Sequence, residues 1–590
     1  MRLHHVSGRF KRLASVLAIL AVVGWSCRAK LDSSAPSAPQ AFPPVASSLP
    51  PDFPNGASNA TLQQAATFAW QEFIALNWPA VNQTGGPNQR DMPDTTKFFG
   101  DQSVPLVWQT YRAKVEIFPG NFNTTLKMTG PPHGYQSNPP NPPDYGYDEP
   151  PEYDYNRAVL ACPNVTPPSQ PAWINLDEVS QIALDKMFAG VVPASPQPTN
   201  SQPNLIRFMA KANRIHYRYV AQNQYWYNNP TAPLATAQKN FTNAINAVPP
   251  KVPTASVGFP PDTIEVKAAW RQLAPNEDPT RFHMTTVRYY ERNDGPTCYR
   301  EDRWALIALH IIRKTPTAPA FVYATFEQAD NILLPALDGS GKPVPVEDVD
   351  GNIINAPAAS APTTPGLSYK DDSTNPLVSL NPPGSAYCTS PGAQIYYRNT
   401  ATQTGLPTGG NICVNKRDNP IPSDIIAINK LAHDAIQSYN ASNGITKSPW
   451  LYYKLVNVQP YPFDKSQIDP TNPNGMHNPA TFFQANIVVE TNYTLQLFHG
   501  RIQSNGAPTD YPASPPTPPP PNVFVFSGTP PTTVTSYNMG GCMGCHGNAQ
   551  VAGTDFSFIL NEGAVSSPES ATASATELSA TYLEQFQPRR

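Results

Sequence analysis

Near its C-terminus the chain reads Cys542-Met543-Gly544-Cys545-His546. Two thiols three positions apart, followed at once by an imidazole, suit one chemistry above others. The sulfurs can add to the two vinyl groups of a porphyrin as thioethers, and the imidazole can then ligate the iron. With 7 Cys and 10 His in 590 residues, random placement yields such a string on the order of 0.001 times. A redox dithiol would sit in a βαβ surround, and a closed zinc site would need a second ligand pair nearby. The neighbouring sequence offers neither, which leaves a tight structural disulfide as the remaining alternative to one covalent haem c.

An iron held by His546 has a second axial position. The 44 residues after His546 contain no Met, His or Lys, so a second ligand comes from upstream or the iron is open on that face. Met539, His499 and His310 are the leading candidates, with Met476, His477, His433, His283 and Met284 behind them. Met539 lies so close to Cys542 that it needs a tight chain reversal. His499 precedes a Pro-rich stretch that could swing it into place. His310 falls in an apolar run, where a histidine is either a hydrogen-bonded core residue or a ligand or base. Phe556, Phe558, Ile559 and Leu560 could cover part of one haem face. A C-terminal segment this short has too little apolar surface to enclose the group alone, so the rest of the chain must complete the pocket.

The N-terminus reads as an export signal. Arg2, Arg9, Lys11 and Arg12 precede Leu13 to Trp25, a 13-residue apolar run suited to a signal peptide and too short to span a bilayer. Gly24-Trp25-Ser26-Cys27 resembles a lipoprotein cleavage box, with Cys27 as the lipidated residue. Setting aside Cys27, Cys542 and Cys545 leaves Cys162, Cys298, Cys388 and Cys413. An even number in an oxidising compartment suggests two disulfides. Cys388–Cys413 is the preferred pair because it flanks a Gly/Thr/Pro-rich loop, and Cys162–Cys298 follows by elimination; buried thiols are the alternative.

Charged residues make up 14% of the chain and 71 residues are Pro, against about 25% and about 5% in ordinary domains. The net charge is −3 with no basic run after the signal, which argues against a nucleic-acid partner. Five stretches follow: a signal peptide (1–27), an Ala/Ser/Pro-rich tether (28–60), a body (61–500), a Pro-rich linker (501–535) and a haem-attachment segment (536–590). In the body, helical spacing places Leu62, Ala66, Ala69, Phe73 and Leu76 on one face. Helix signals return from Leu176 to Asn229, with Asp177 as an N-cap. Four strands follow in DTIEVKAAWRQL, RFHMTTVRYYER, RWALIALHIIRKT and AFVYATFEQADN, then a helix in SDIIAINKLAHDAIQSY and a strand in WLYYKLVNVQ. Residues 119–157, rich in Pro, Tyr and acids, read as a surface loop. The expected fold is α+β, with helices flanking a largely antiparallel sheet.

The strings QEFIALNWPA, EVKAAWRQL, ALIALHIIRKTPTAPAFVYATFEQADN, ANIVVETNYTLQ and CMGCHG…DFSF together resemble exported bacterial mono-haem proteins of the cytochrome c family. The resemblance runs in patches from about Trp70 to Leu560. It implies a large N-terminal body joined to a C-terminal haem site at Cys542, Cys545 and His546, and it makes His310, Glu327 and Asp330 candidates for a site in the body. Three functions are then open. The chain could be an electron-transfer cytochrome at the periplasmic face of a membrane, anchored by lipid and serving a redox partner protein. It could be a peroxidase- or oxygenase-like haem enzyme, with His310 and Glu327 as a distal acid/base pair. Or its body could be a binding or redox module that the haem wires to an electron chain.

Overall fold

The longest β-forming run, Cys298–Thr315, organises the molecule. Apolar on both faces around Leu306 to Ile312, it forms an 18-residue strand buried through its centre. The computed structural model describes residues 41–83, 89–119, 145–178, 206–226, 232–273, 277–291, 296–331, 333–337, 343–355, 421–463, 523–537 and 541–562, with a few isolated positions such as Asn486 and Met539.

Twelve strands are named in chain order: β1 (Arg112–Ala113), β2 (Ile174–Leu176), β3 (Arg207–Ala212), β4 (Ile264–Arg271), β5 (Met284–Glu291), β6 (Cys298–Thr315), β7 (Ala318–Gln328), β8 (Leu333–Leu337), β9 (Pro343–Pro345), β10 (Tyr453–Gln459), β11 (Val523–Ser527) and β12 (Thr533–Tyr537). The helices are α1 (Leu62–Leu76), α2 (Lys114–Ile117), α3 (Arg214–Gln222), α4 (Pro233–Ile245), α5 (Ser423–Ser442), α6 (Gly541–Val551) and α7 (Phe558–Glu562). The fold is α+β. An eight-stranded sheet runs β1-β3-β4-β6-β5-β2, with β7 and β10 continuing from β6. Every pairing in it is antiparallel except β2 with β5.

One face of this sheet is covered by α1 and α5. A capping box starts α1: Gln64 N donates to Thr61 Oγ1, and Thr61 N donates to Gln64 Oε1. Trp70 and Phe73 of α1 pack edge and face on Phe326. Trp70 Nε1 donates to Asn429 Oδ1 on α5 at 2.7 Å, and Leu455 N donates to the same oxygen at 3.1 Å. Asn429 thus satisfies a β10 amide where that strand is bulged, between Leu455 and Asn457.

Three stretches differ from the sequence reading. Within the helical reading of residues 176–229, β3 is a strand and β2 ends at its first residue; among the described residues of that range, Arg214–Gln222 is helical. RFMAKA is buried on both faces, as a covered strand is. Residues 50–57 of the expected tether lie on the body. Arg313 Nη1 donates to the Pro50 carbonyl, Asp52 accepts from Thr315 and Thr317, and Phe53 stacks on Phe68. The last part of the expected linker is the β11–β12 hairpin, whose alternating VFVFS and TVTSY are masked in sequence by the prolines of the turn between them. The readings for residues 1–40, 120–144, 179–205, 356–420, 464–485 and 487–522 lie outside the described residues, and with them Cys27, Cys388, Cys413, Met476, His477 and His499. Cys162 and Cys298 form a disulfide that ties a surface segment to the start of β6.

Candidate haem-attachment site

Cys542, Cys545 and His546 stand at helical offsets of three and four, so they share one side of α6. That helix ends in a Schellman turn. Gly553 N donates to the Gln550 carbonyl and Thr554 N to the Ala549 carbonyl. Gly553 has φ +86°, and a Cβ there would come within 2.6 Å of Gln238 Cα on α4. Gln550 fastens α6 to the hairpin, accepting from Phe524 N at 2.8 Å and donating to the Phe524 carbonyl at 2.7 Å.

The helix lies on the sheet face opposite α1 and α5. Residues paired across strands share a face, and the registers set two transverse rows there. Lys267, His310, Thr325 and Asn457 form one; Glu265, Ile312, Tyr323 and Gln459 form the next. Asn457 Nδ2 donates to Cys542 Sγ at 3.5 Å, and Met543 N donates to Gln459 Oε1 at 3.1 Å. The Tyr323 ring lies 4.9 Å from the His546 ring, and Phe558 approaches it at 4.7 Å. Met539, Cys542, Met543, Phe556, Ile559 and Leu560 join the same buried cluster as Phe208, Ala269, Ile307 and Phe321 of the body. The C-terminal segment and the sheet therefore share one core.

His546 Nδ1 lies 2.8 Å from the Phe556 carbonyl. A carbonyl only accepts, so Nδ1 carries the proton and Nε2 bears the lone pair. Nε2 makes no hydrogen bond among the described residues. Burial pushes the His546 pKa down to about 4, with Lys267 adding to the shift and the Phe556 carbonyl and Glu265 opposing it. The ring is held neutral, as metal ligation requires. Cys542 is buried and Cys545 partly so, and both stand as thiols.

Three polar atoms beside the motif are buried and make no hydrogen bond among the described residues: Tyr323 Oη, Asn457 Oδ1 and Gln459 Nε2. Each such atom costs roughly 1–3 kcal/mol unless something meets it. Correctly spaced thiols, a neutral imidazole of fixed tautomer and unmet polar groups on the facing sheet fit a covalently attached haem.

The other candidates fall in different places. His310 is on the same face, its Nδ1 2.9 Å from Thr325 Oγ1. Burial holds its pKa well below the usual histidine range, with Lys267 and His546 adding to that. Thr325, not Glu327, stands directly opposite it. Glu327 lies 4.0 Å from Lys454 Nζ, which bonds Glu347 at 2.7 Å. Asp330 is held by Arg281 in a two-point ion pair. His433 has both ring nitrogens engaged, by Asp350 and by the Tyr453 carbonyl. His283 is stacked on Trp450 beneath the opposite face. The polar rows were missed in sequence, although every second residue of Tyr323, Thr325 and Glu327, and of Asn457 and Gln459, carries the signal. Among the described residues no helix is long and apolar enough to cross a membrane. Compared with protein-family models, with curated proteins and with solved structures, the chain matches none.

Proposed function

We propose that this protein is an exported c-type cytochrome that carries one haem and transfers electrons. The observation that carries the reading is the His546 Nδ1–H bond to the Phe556 carbonyl, inside a Cys-x-x-Cys-His helix docked on a polar sheet face. Cys542 and Cys545 would hold the porphyrin as thioethers and His546 would ligate its iron. When bound, the group supplies one-electron cycling between ferric and ferrous iron. The chain's own residues do the rest. Phe556 fixes the imidazole tautomer, the aromatic rings of Tyr323 and Phe558 flank the ligand, and the shared core limits water. The Cys162–Cys298 disulfide supports an oxidising, extracytoplasmic setting. A lipid on Cys27 would anchor the chain there, and a redox protein would be its partner.

Protein purified from a host that matures c-type cytochromes should be coloured and give a c-type pyridine haemochrome. After denaturation its mass should exceed the bare polypeptide by one haem, and the Cys542→Ala/Cys545→Ala double variant should lose that increment. A colourless chain at its calculated mass overturns the proposal. One observation favours a second reading, a haem enzyme with an open iron face. His310, Lys267 and Tyr323 present titratable groups on the sheet beside His546. A six-coordinate low-spin spectrum supports electron transfer; a high-spin ferric spectrum that shifts with cyanide or carbon monoxide supports the enzyme.

A further inference from the structure

The carbonyl that orients His546 belongs to a tight turn, closed by Ser557 N donating to the Thr554 carbonyl at 3.0 Å, whose two central residues are both left-handed. Asp555 has φ +48° and Phe556 φ +69°. For side-chain-bearing residues these are strained conformations that persist only when surrounding contacts impose them. To its local bonds the body adds two more. Lys314 Nζ, at the end of β6, donates to Asp555 Oδ2 at 2.6 Å, and Phe259 N donates to the same oxygen at 2.6 Å. Both charged side chains are largely buried, at 13% and 12% exposure, so the pair is shielded from the screening that makes surface ion pairs weak. Lys314 also lies over the Phe321 ring at 5.3 Å, and Phe321 meets Phe556 at 6.3 Å between ring centres. Phe321 is itself in the left-handed region, at φ +65°. Strained backbone on both sides of one ion pair thus converges on the Phe556 carbonyl.

We propose that Lys314 and Asp555 are positioning residues for the haem's proximal ligand, setting through the Phe556 carbonyl how strongly His546 Nδ1–H is bound; this rests on the haem reading above. A strong Nδ1–H bond to an acceptor makes the imidazole a better electron donor, which favours ferric over ferrous iron. Releasing the turn lengthens that bond and weakens the donation. Electron transfer at the iron is then tuned from strand β6, whose Lys314 lies 232 positions before His546 in the chain.

The test compares haem-loaded parent protein with Asp555→Asn, Lys314→Met, the double variant and Lys314→Arg. The readouts are reduction potential and the proximal-imidazole resonances in paramagnetic NMR, with urea unfolding alongside. The potential should shift upward in each of the first two variants. The double variant should shift by about as much as either single, because both act on one contact. Lys314→Arg, which keeps the ion pair, should return most of the way to the parent value. If the variants unfold more easily while potential and resonances stay at parent values, the pair is only a structural clamp and the proposal is overturned. If Asp555→Asn does not fold, Lys314→Met and Lys314→Arg decide alone. A parent chain that carries no haem refutes the underlying reading instead, and is told apart by its missing colour.

Discussion

Buried histidines in this protein are distinguished by what their nitrogens meet. His283 Nε2 lies 2.8 Å from the amide nitrogen of Gln109, whose own oxygen is taken by Leu106 N. The amide orientation is fixed, so Gln109 donates and His283 Nε2 must accept. An imidazolium has no acceptor, and this site therefore admits only the neutral ring. Burial between Trp270 and Trp450 agrees, pushing the pKa down from its ordinary 6.5 to about 3, with Arg303 adding to the shift. The sign follows. Above pH 6.5 native and unfolded chains are alike at this residue. Between 6.5 and about 3 the unfolded chain takes up a proton that the native chain refuses, so stability falls as pH falls, and below that window the loss is complete. At pH 5 His283 alone should remove about 2 kcal/mol relative to pH 7.5. Urea unfolding of parent and His283→Gln at the two pH values checks this: the variant should be the less sensitive to acid. Of these residues, the sequence made Cys542, Cys545 and His546 plain, because five adjacent letters carry the chemistry. It did not show Lys314 with Asp555 or Asn457 with Cys542, since those partners are joined by strand register and not by spacing.

At the scale of elements, β2 and β3 did not announce themselves, whereas β4, β5, β6, β7 and β10 did so through β-branched and aromatic residues, and α1 and α5 through their periodicity. The rows across those strands did not. Lys267, His310, Thr325 and Asn457 come from four separate strands, and only the antiparallel registers align them. The missed helix α4 begins with Pro233 at its first position, a helix-start signal, in a stretch whose Thr, Asn and Lys residues dilute the apolar stripe. Its closeness to α6 makes Gly553 the most demanding position in the C-terminal segment. Gly553→Ala places a methyl 2.6 Å from Gln238 Cα and forces a side chain into φ +86°. The expected cost is about 1–3 kcal/mol, seen as a lower urea midpoint. A compliant turn would instead leave the midpoint unchanged and refute the packing argument.

For the whole molecule, the covalent cross-link found among the described residues spans a long path. Cys162 and Cys298 close a loop of sequence separation 136. Beside the bond, Cys162 N donates to the Tyr299 carbonyl and Tyr299 N to the Leu160 carbonyl, so the link reinforces a segment already laid along β6. Removing it with Cys162→Ser/Cys298→Ser should lower unfolding free energy by about 2–5 kcal/mol. Reduction of the parent should cost at least as much, and reduction of the double variant correspondingly less. The antiparallel α+β plan was legible from alternating patterns and run lengths. That the C-terminal segment shares the body's core was legible only as a shortage of apolar residues in that segment.

Cys542 is 9% exposed, covered by the sheet through Asn457. Any agent that must handle both sulfurs together finds one of them shut away once the tail has settled. If a haem is to join both sulfurs, the addition would come before α6 docks on the sheet. On the haem reading, attachment would compete with that docking, and slowing the docking would raise the yield of haem-loaded protein.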